Sequence, residues 1–128
     1  MNTIVNGKII KFIEEKHYDG TASLFVQIQK DSGGIATMEC LFYSYNKKGF
    51  EIRNYCLQYI VKLLTKQDVQ NLTITEASYL LNATSVILVK KDGMFNSFGS
   101  NLNELYSPEE FVSMNKNSSE NINGSYIC

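Results

Sequence analysis

The residues with catalytic potential are few and badly spaced for catalysis. His17 is the one histidine among 128 residues, so neither a histidine acid/base pair nor a multi-histidine metal site can form within one chain. It falls in His17-Tyr18-Asp19-Gly20, which reads as a turn, and a lone turn histidine reads as solvated. Glu14 and Glu15 are neighbours in a strand-like run, so they point to opposite faces and do not form a facing carboxylate pair. Gly33-Gly34 precedes a strand-like run and lacks the lysine and further glycines of a phosphate loop. Cys40, Cys56 and Cys128 are odd in number and far apart, which predicts reduced thiols rather than a disulfide framework or a zinc site. The chain reads as non-enzymatic, with no catalytic residue, metal or cofactor.

A second set of residues suits a different chemistry. Aromatic rings give nucleobases a surface to stack on, and lysines beside them follow a phosphate backbone. Lys16 and Tyr18 flank the first turn, and Phe25 lies in the second strand-like run. Tyr43, Tyr45, Lys47 and Lys48 close the third, and Lys90, Lys91 and Phe95 surround the last hairpin. The plainer reading of the same residues is packing for the rings and solvated loops for the lysines.

These residues must be positioned by the elements around them. Residues 3–16 read as a first strand, with Ile10 and Phe12 on one face and Ile9, Lys11 and Ile13 on the other; Gly7 marks a bulge or bend. In the second strand Leu24, Val26 and Ile28 form an apolar face opposite Phe25, Gln27 and Gln29. Asp31-Ser32-Gly33-Gly34 turns the chain into a third strand over 35–43, where Ala36, Met38, Cys40 and Phe42 share a face. From Glu51 the period becomes helical: Ile52, Tyr55, Cys56, Tyr59, Ile60 and Leu63 recur on one side, and Asn54, Gln58, Lys62 and Lys66 on the other. Residues 75–81 suggest a second short helix, the alternative being an extended connection with Leu72 and Ile74 tucked inward; 86–89 read as a buried fourth strand, and Asp92-Gly93 as a turn into a fifth strand over 94–98. Ser107-Pro108-Glu109-Glu110 has the pattern of a helix start ahead of Phe111 and Met114, giving a short, poorly anchored C-terminal helix.

Composition bounds the rest. The length and 44% hydrophobic content suit one core. Residues 1–98 carry eleven Lys/Arg against nine Asp/Glu, a balance of +2; residues 99–128 carry one Lys against four Glu, a balance of -3. The expected organisation is a domain over 1–99 and a polar, acidic, partly disordered extension over 100–128. No run approaches the roughly 20 apolar residues of a membrane span, and the start lacks a signal-peptide pattern. The expectation is a soluble, cytoplasmic protein without membrane contact.

Three strands, a helix and two strands make a mainly β chain. Its expected form is a five-stranded, OB-like Greek-key barrel with an amphipathic helix between strands 3 and 4 and a short C-terminal helix. On that element order, and on the aromatic and basic positions above, residues 3–98 resemble the small OB-fold single-stranded DNA-binding proteins of bacteriophages and bacteria. The resemblance implies binding of single-stranded DNA, or RNA, in replication or recombination, and a C-terminal extension that contacts a protein partner. The end departs from that pattern, because Asn123-Gly124-Ser125-Tyr126-Ile127-Cys128 has no acidic cluster. Self-association is compatible with either reading. The competing class is a small virus- or plasmid-encoded protein-binding module or inhibitor that binds no nucleic acid.

Overall fold

The structure, a computed structural model, describes residues 2–95 and 101–116. The elements are β1 (Asn2–Lys16), β2 (Thr21–Lys30), β3 (Ile35–Ser44), α1 (Lys47–Thr65), α2 (Ile74–Leu81), β4 (Ser85–Phe95), β5 (Asn101–Tyr106) and α3 (Pro108–Lys116). All strand pairings are antiparallel, in one five-stranded sheet of order β3-β2-β1-β4-β5. The mainly β expectation holds at that level. β3 and β5 are the two ends of the sheet, which is not closed among the described residues.

β1 changes neighbours along its length. Asn2 to Lys8 pair with β4, while Gly7 to Lys16 pair with β2. At the overlap a Cβ on Gly7 would lie 2.3 Å from the Gln29 carbonyl oxygen, so only glycine lets the strands approach this closely. Beyond Lys8, the α2–β4 connection continues the ladder. Ile9 donates to the Thr84 carbonyl (2.9 Å) and accepts from the Ala83 amide (2.8 Å). Side chains then take over: Asn82 donates to the Ile10 carbonyl (3.0 Å), and the Phe12 amide donates to Ser78 Oγ (2.9 Å). The free edge of β1 is thereby satisfied rather than left to pair with another strand.

Two β-bulges decide which side chains face inward. Ile9 pairs with Ile28 and Lys11 with Gln27, so Ile10 is an extra residue and Ile9 joins Phe12 in the core. The sequence pattern had placed Ile9 and Phe12 on opposite faces. Leu24 pairs with Leu41 and Phe25 with Glu39, which makes Cys40 the extra residue of β3. Past it the faces are reversed from the expected alternation: Tyr43 is buried and Phe42 is 60% exposed.

Other boundaries also move. β4 runs through Asp92-Gly93 without turning, and the fifth strand is Asn101–Tyr106 rather than 94–98, of which 96–98 lie outside the described residues. The segment after residue 100 therefore supplies a strand and a helix. Ser107 Oγ accepts the Glu110 amide (3.2 Å) at the start of α3, and Phe111 and Met114 pack on Ile87, Val89 and Tyr106. This anchors a helix expected to be loose. The expected short second helix is α2, closed by a reciprocal capping box between Thr73 and Glu76. Cys40 is free and buried, but Cys56 is disulfide-bonded, against the expectation of reduced thiols.

α1 begins four residues before the expected Glu51, at Lys47, because Asn46 caps it by accepting the Gly49 amide (2.9 Å). Its buried face is Cys56, Leu57, Ile60 and Val61, set against the inner faces of β1–β3. Ile52, Tyr55 and Tyr59, expected in the core, are exposed instead. The helix carries two apolar stripes, and the aliphatic one packs. Leu57→Ala should therefore cost about 2–5 kcal/mol as a core truncation, and Tyr55→Ala less than about 1 kcal/mol. Denaturant melts showing the reverse order would place the helix in the wrong rotation.

Candidate nucleic-acid interface

The expected binding residues fall into two groups. Lys16, Tyr18, Tyr45, Lys47 and Lys48 meet at one end of the sheet, where the β1–β2 turn lies beside the β3–α1 junction. The Tyr45 amide donates to the Gly20 carbonyl (2.9 Å), tying junction to turn. Lys16 Nζ lies 4.4 Å from the centre of the Tyr45 ring, whose other contact is an edge-on packing against Phe50 at 4.8 Å. Tyr18 projects fully into solvent, and Lys47 and Lys48 are exposed in the first turn of α1. No acidic residue occupies that turn, so both lysines add to the positive end of the helix dipole.

Lys90, Lys91 and Phe95 are elsewhere. Lys90 pairs with Thr3, Lys91 with Asn2 and Phe95 with Asn101, at the far end of β1 from Lys16. At about 3.3 Å per residue, some 40 Å of strand separates the two groups. The structure does not bring them together.

Phe25 lies on the outer face of β2, half-buried and outside both buried clusters, beside Ile13 on β1 and Glu39 on β3. Next along the face is a group absent from the sequence reading. The exposed Phe42 ring stacks on His17 with centroids 5.8 Å apart and planes 24° apart. His17 is not simply solvated: its Nε2 is 2.9 Å from Ser23 Oγ, and its Nδ1 is 3.8 Å from Glu15. Lys8 and Lys11 are exposed on the same outer face, which also carries the exposed Glu15 and Glu39. Phe42 and His17 were missed because Leu41-Phe42-Tyr43 is apolar at every position, so no alternation betrays the bulge at Cys40.

Tyr43 does not join this surface. The residue is 4% exposed and its hydroxyl donates to Glu14, which also receives Arg53 Nη1 at 2.8 Å. Arg53 in turn lies over the Phe50 ring at 5.0 Å. A base has no face of Tyr43 to stack on. The residue belongs instead to a polar clasp that holds β1, β3 and α1 together.

Among the described residues no group of three His, Cys, Asp or Glu side chains could hold a metal ion, and no helix is long and apolar enough to cross a membrane. No protein-family model and no curated protein matches the chain.

Burial, reinforced by the Glu14 carboxylate, pushes the Tyr43 hydroxyl well above the usual tyrosine range. An unfolded tyrosine ionises near pH ~10, so the stability tied to the neutral Tyr43 hydroxyl is complete below that pH and is lost as pH rises above it. Denaturant melts on the alkaline side should show a shallower loss of stability with pH in Tyr43→Phe than in the unaltered chain. Parallel slopes would mean that the hydroxyl is not held neutral by its surroundings.

Proposed function

We propose that this protein binds single-stranded nucleic acid, DNA in the first instance, along the outer face of β1–β3 and the lysine-rich end beside it. One observation carries the reading: no buried cluster of described residues covers that face, yet it presents Phe25 and the Phe42–His17 stack, with Tyr18 exposed in the adjoining turn and the Lys16–Tyr45 pair around the sheet end on the α1 side. Lys8, Lys11, Lys16, Lys47 and Lys48 are the cations available to follow the phosphates. Stacking tolerates every base, because each has a π face, so little sequence preference is expected.

The topology supports the same reading. Read from β4, the strand order is β4-β1-β2-β3, in which the fourth strand returns by a long connection to lie beside the first. This order is compatible with a Greek key, and a further pairing of β3 with β5, not present among the described residues, would close it into the five-stranded OB barrel, whose ligands bind on the strand 2–3 face. Glu15 and Glu39 on the face, and the balance of +2 over residues 1–98, set the binding strength at modest.

Titration with labelled oligonucleotides tests this directly. Single strands should bind more tightly than duplex, with a salt slope near -0.7 per phosphate over about three to five contacts. Phe25→Ala and Phe42→Ala should each weaken binding by about 1–3 kcal/mol, while Lys90→Ala at the far end of β1 should have a smaller effect than Lys16→Ala. No binding at low salt would overturn the proposal.

A further inference from the structure

α1 carries an apolar stripe that the fold leaves bare. Ile52, Tyr55 and Tyr59 are 47%, 70% and 37% exposed, and the half-buried Leu63 continues their line. Their spacing of three, four and four residues places them in one row along the helix, well away from the packed row of Cys56, Leu57, Ile60 and Val61. Exposed Glu51 and Lys62 border the row near its two ends. Sequence periodicity assigns this row to a core, and a core-like row without a cover marks an interaction surface.

We infer that the occupant of this surface is a second copy of the chain, docked through its own α1 in antiparallel orientation. The row is close to palindromic. A two-fold axis crossing the helix near Leu57 sets Tyr55 against Tyr59 of the second copy and Ile52 against its Leu63, and symmetry repeats both contacts. The same axis brings Glu51 opposite Lys62 of the second copy, twice, so the charges that border the row are complementary to themselves in this orientation alone. Lys48 and Lys66 meet as like charges at the outer ends and hold the affinity down. The area points the same way. A fully covered aromatic side chain buries roughly 150–250 Å², and three partly exposed side chains per copy fall short of the roughly 1,200–2,000 Å² of a stable complex. The dimer is weak and concentration-dependent. This inference does not rest on the nucleic-acid reading: the row itself lies on α1, Lys48 at its end is the one residue the two surfaces share, and the dimer is measured without nucleic acid.

Sedimentation of the full chain over a wide concentration range, without nucleic acid, tests it. A reversible monomer–dimer equilibrium is expected. Glu51→Lys and Lys62→Glu should each weaken it by about tenfold, and the double variant, which restores opposite charges, should return to within about threefold of the original. Tyr55→Glu should abolish the dimer with an unchanged melting temperature, as its exposure allows. A chain that stays monomeric throughout overturns the inference, as does a dimer that ignores these substitutions or that the double variant fails to restore. Those results would leave the row to a different partner or to another part of the chain.

Discussion

The structure depends on a single strand that is hydrogen-bonded to different partners along its two halves. Among the described residues β1 is the one strand that pairs with both the β2–β3 pair and the β4–β5 pair, and at Gly7 and Lys8 it is paired on both sides at once. Past that point it would present bare amide and carbonyl groups, each costly to bury without a partner. The connection after α2 and two α2-side polar groups, Ser78 and Asn82, supply the partners. α2 is therefore held to the sheet by directional bonds as well as by Ala77 and Leu81 in the core. The sharp connection into β4, with Ala83 at φ 66°, follows from the same requirement.

With β1 in place, the two bulges set the character of each face. An extra residue reverses the alternation beyond it, so Cys40 turns Phe42 outward and Tyr43 inward. The inward tyrosine becomes useful only because Glu14 and Arg53 are there to meet its hydroxyl. The outward phenylalanine is steadied by His17, which Ser23 holds in turn. One inserted residue thus creates both the polar clasp and the aromatic surface beside it.

Much of the architecture was legible in the chain because it rests on local signals. The period of two in β2, the period change near Glu51, the Ser-Pro-Glu-Glu start of α3 and the alternation that put Phe25 outside are all visible without a structure. What was not legible depended on distant contacts. Ile9-Ile10 and Leu41-Phe42-Tyr43 are apolar at each position, so either register satisfies the pattern until the neighbouring strand selects one. α1 offers two apolar rows, and β3 rather than the helix chooses between them. Asp92-Gly93 has the residues of a tight turn but lies within β4, where pairing with β1 and β5 on either side of it keeps the chain extended. For the candidate site, the lysines and Tyr45 at the β1–β2 end were found from residue type, while Phe42 and His17 required the bulge.

The neighbour change in β1 also has a kinetic side. Its C-terminal half closes onto β2 through a four-residue turn, a contact that forms on the microsecond scale of hairpins. Its N-terminal half pairs Asn2 with Lys91 and Lys8 with Ser85, so nearly the whole domain must be enclosed before those bonds form. Such long-range closure costs entropy before any contact offsets it, and it slows folding. At about 5–20 residues per second, a ribosome delivers β4 several seconds after β1. During that interval Asn2 to Asn6, which pair with β4 and not with β2, lack their partner strand, the kind of unpaired edge that other strands can join.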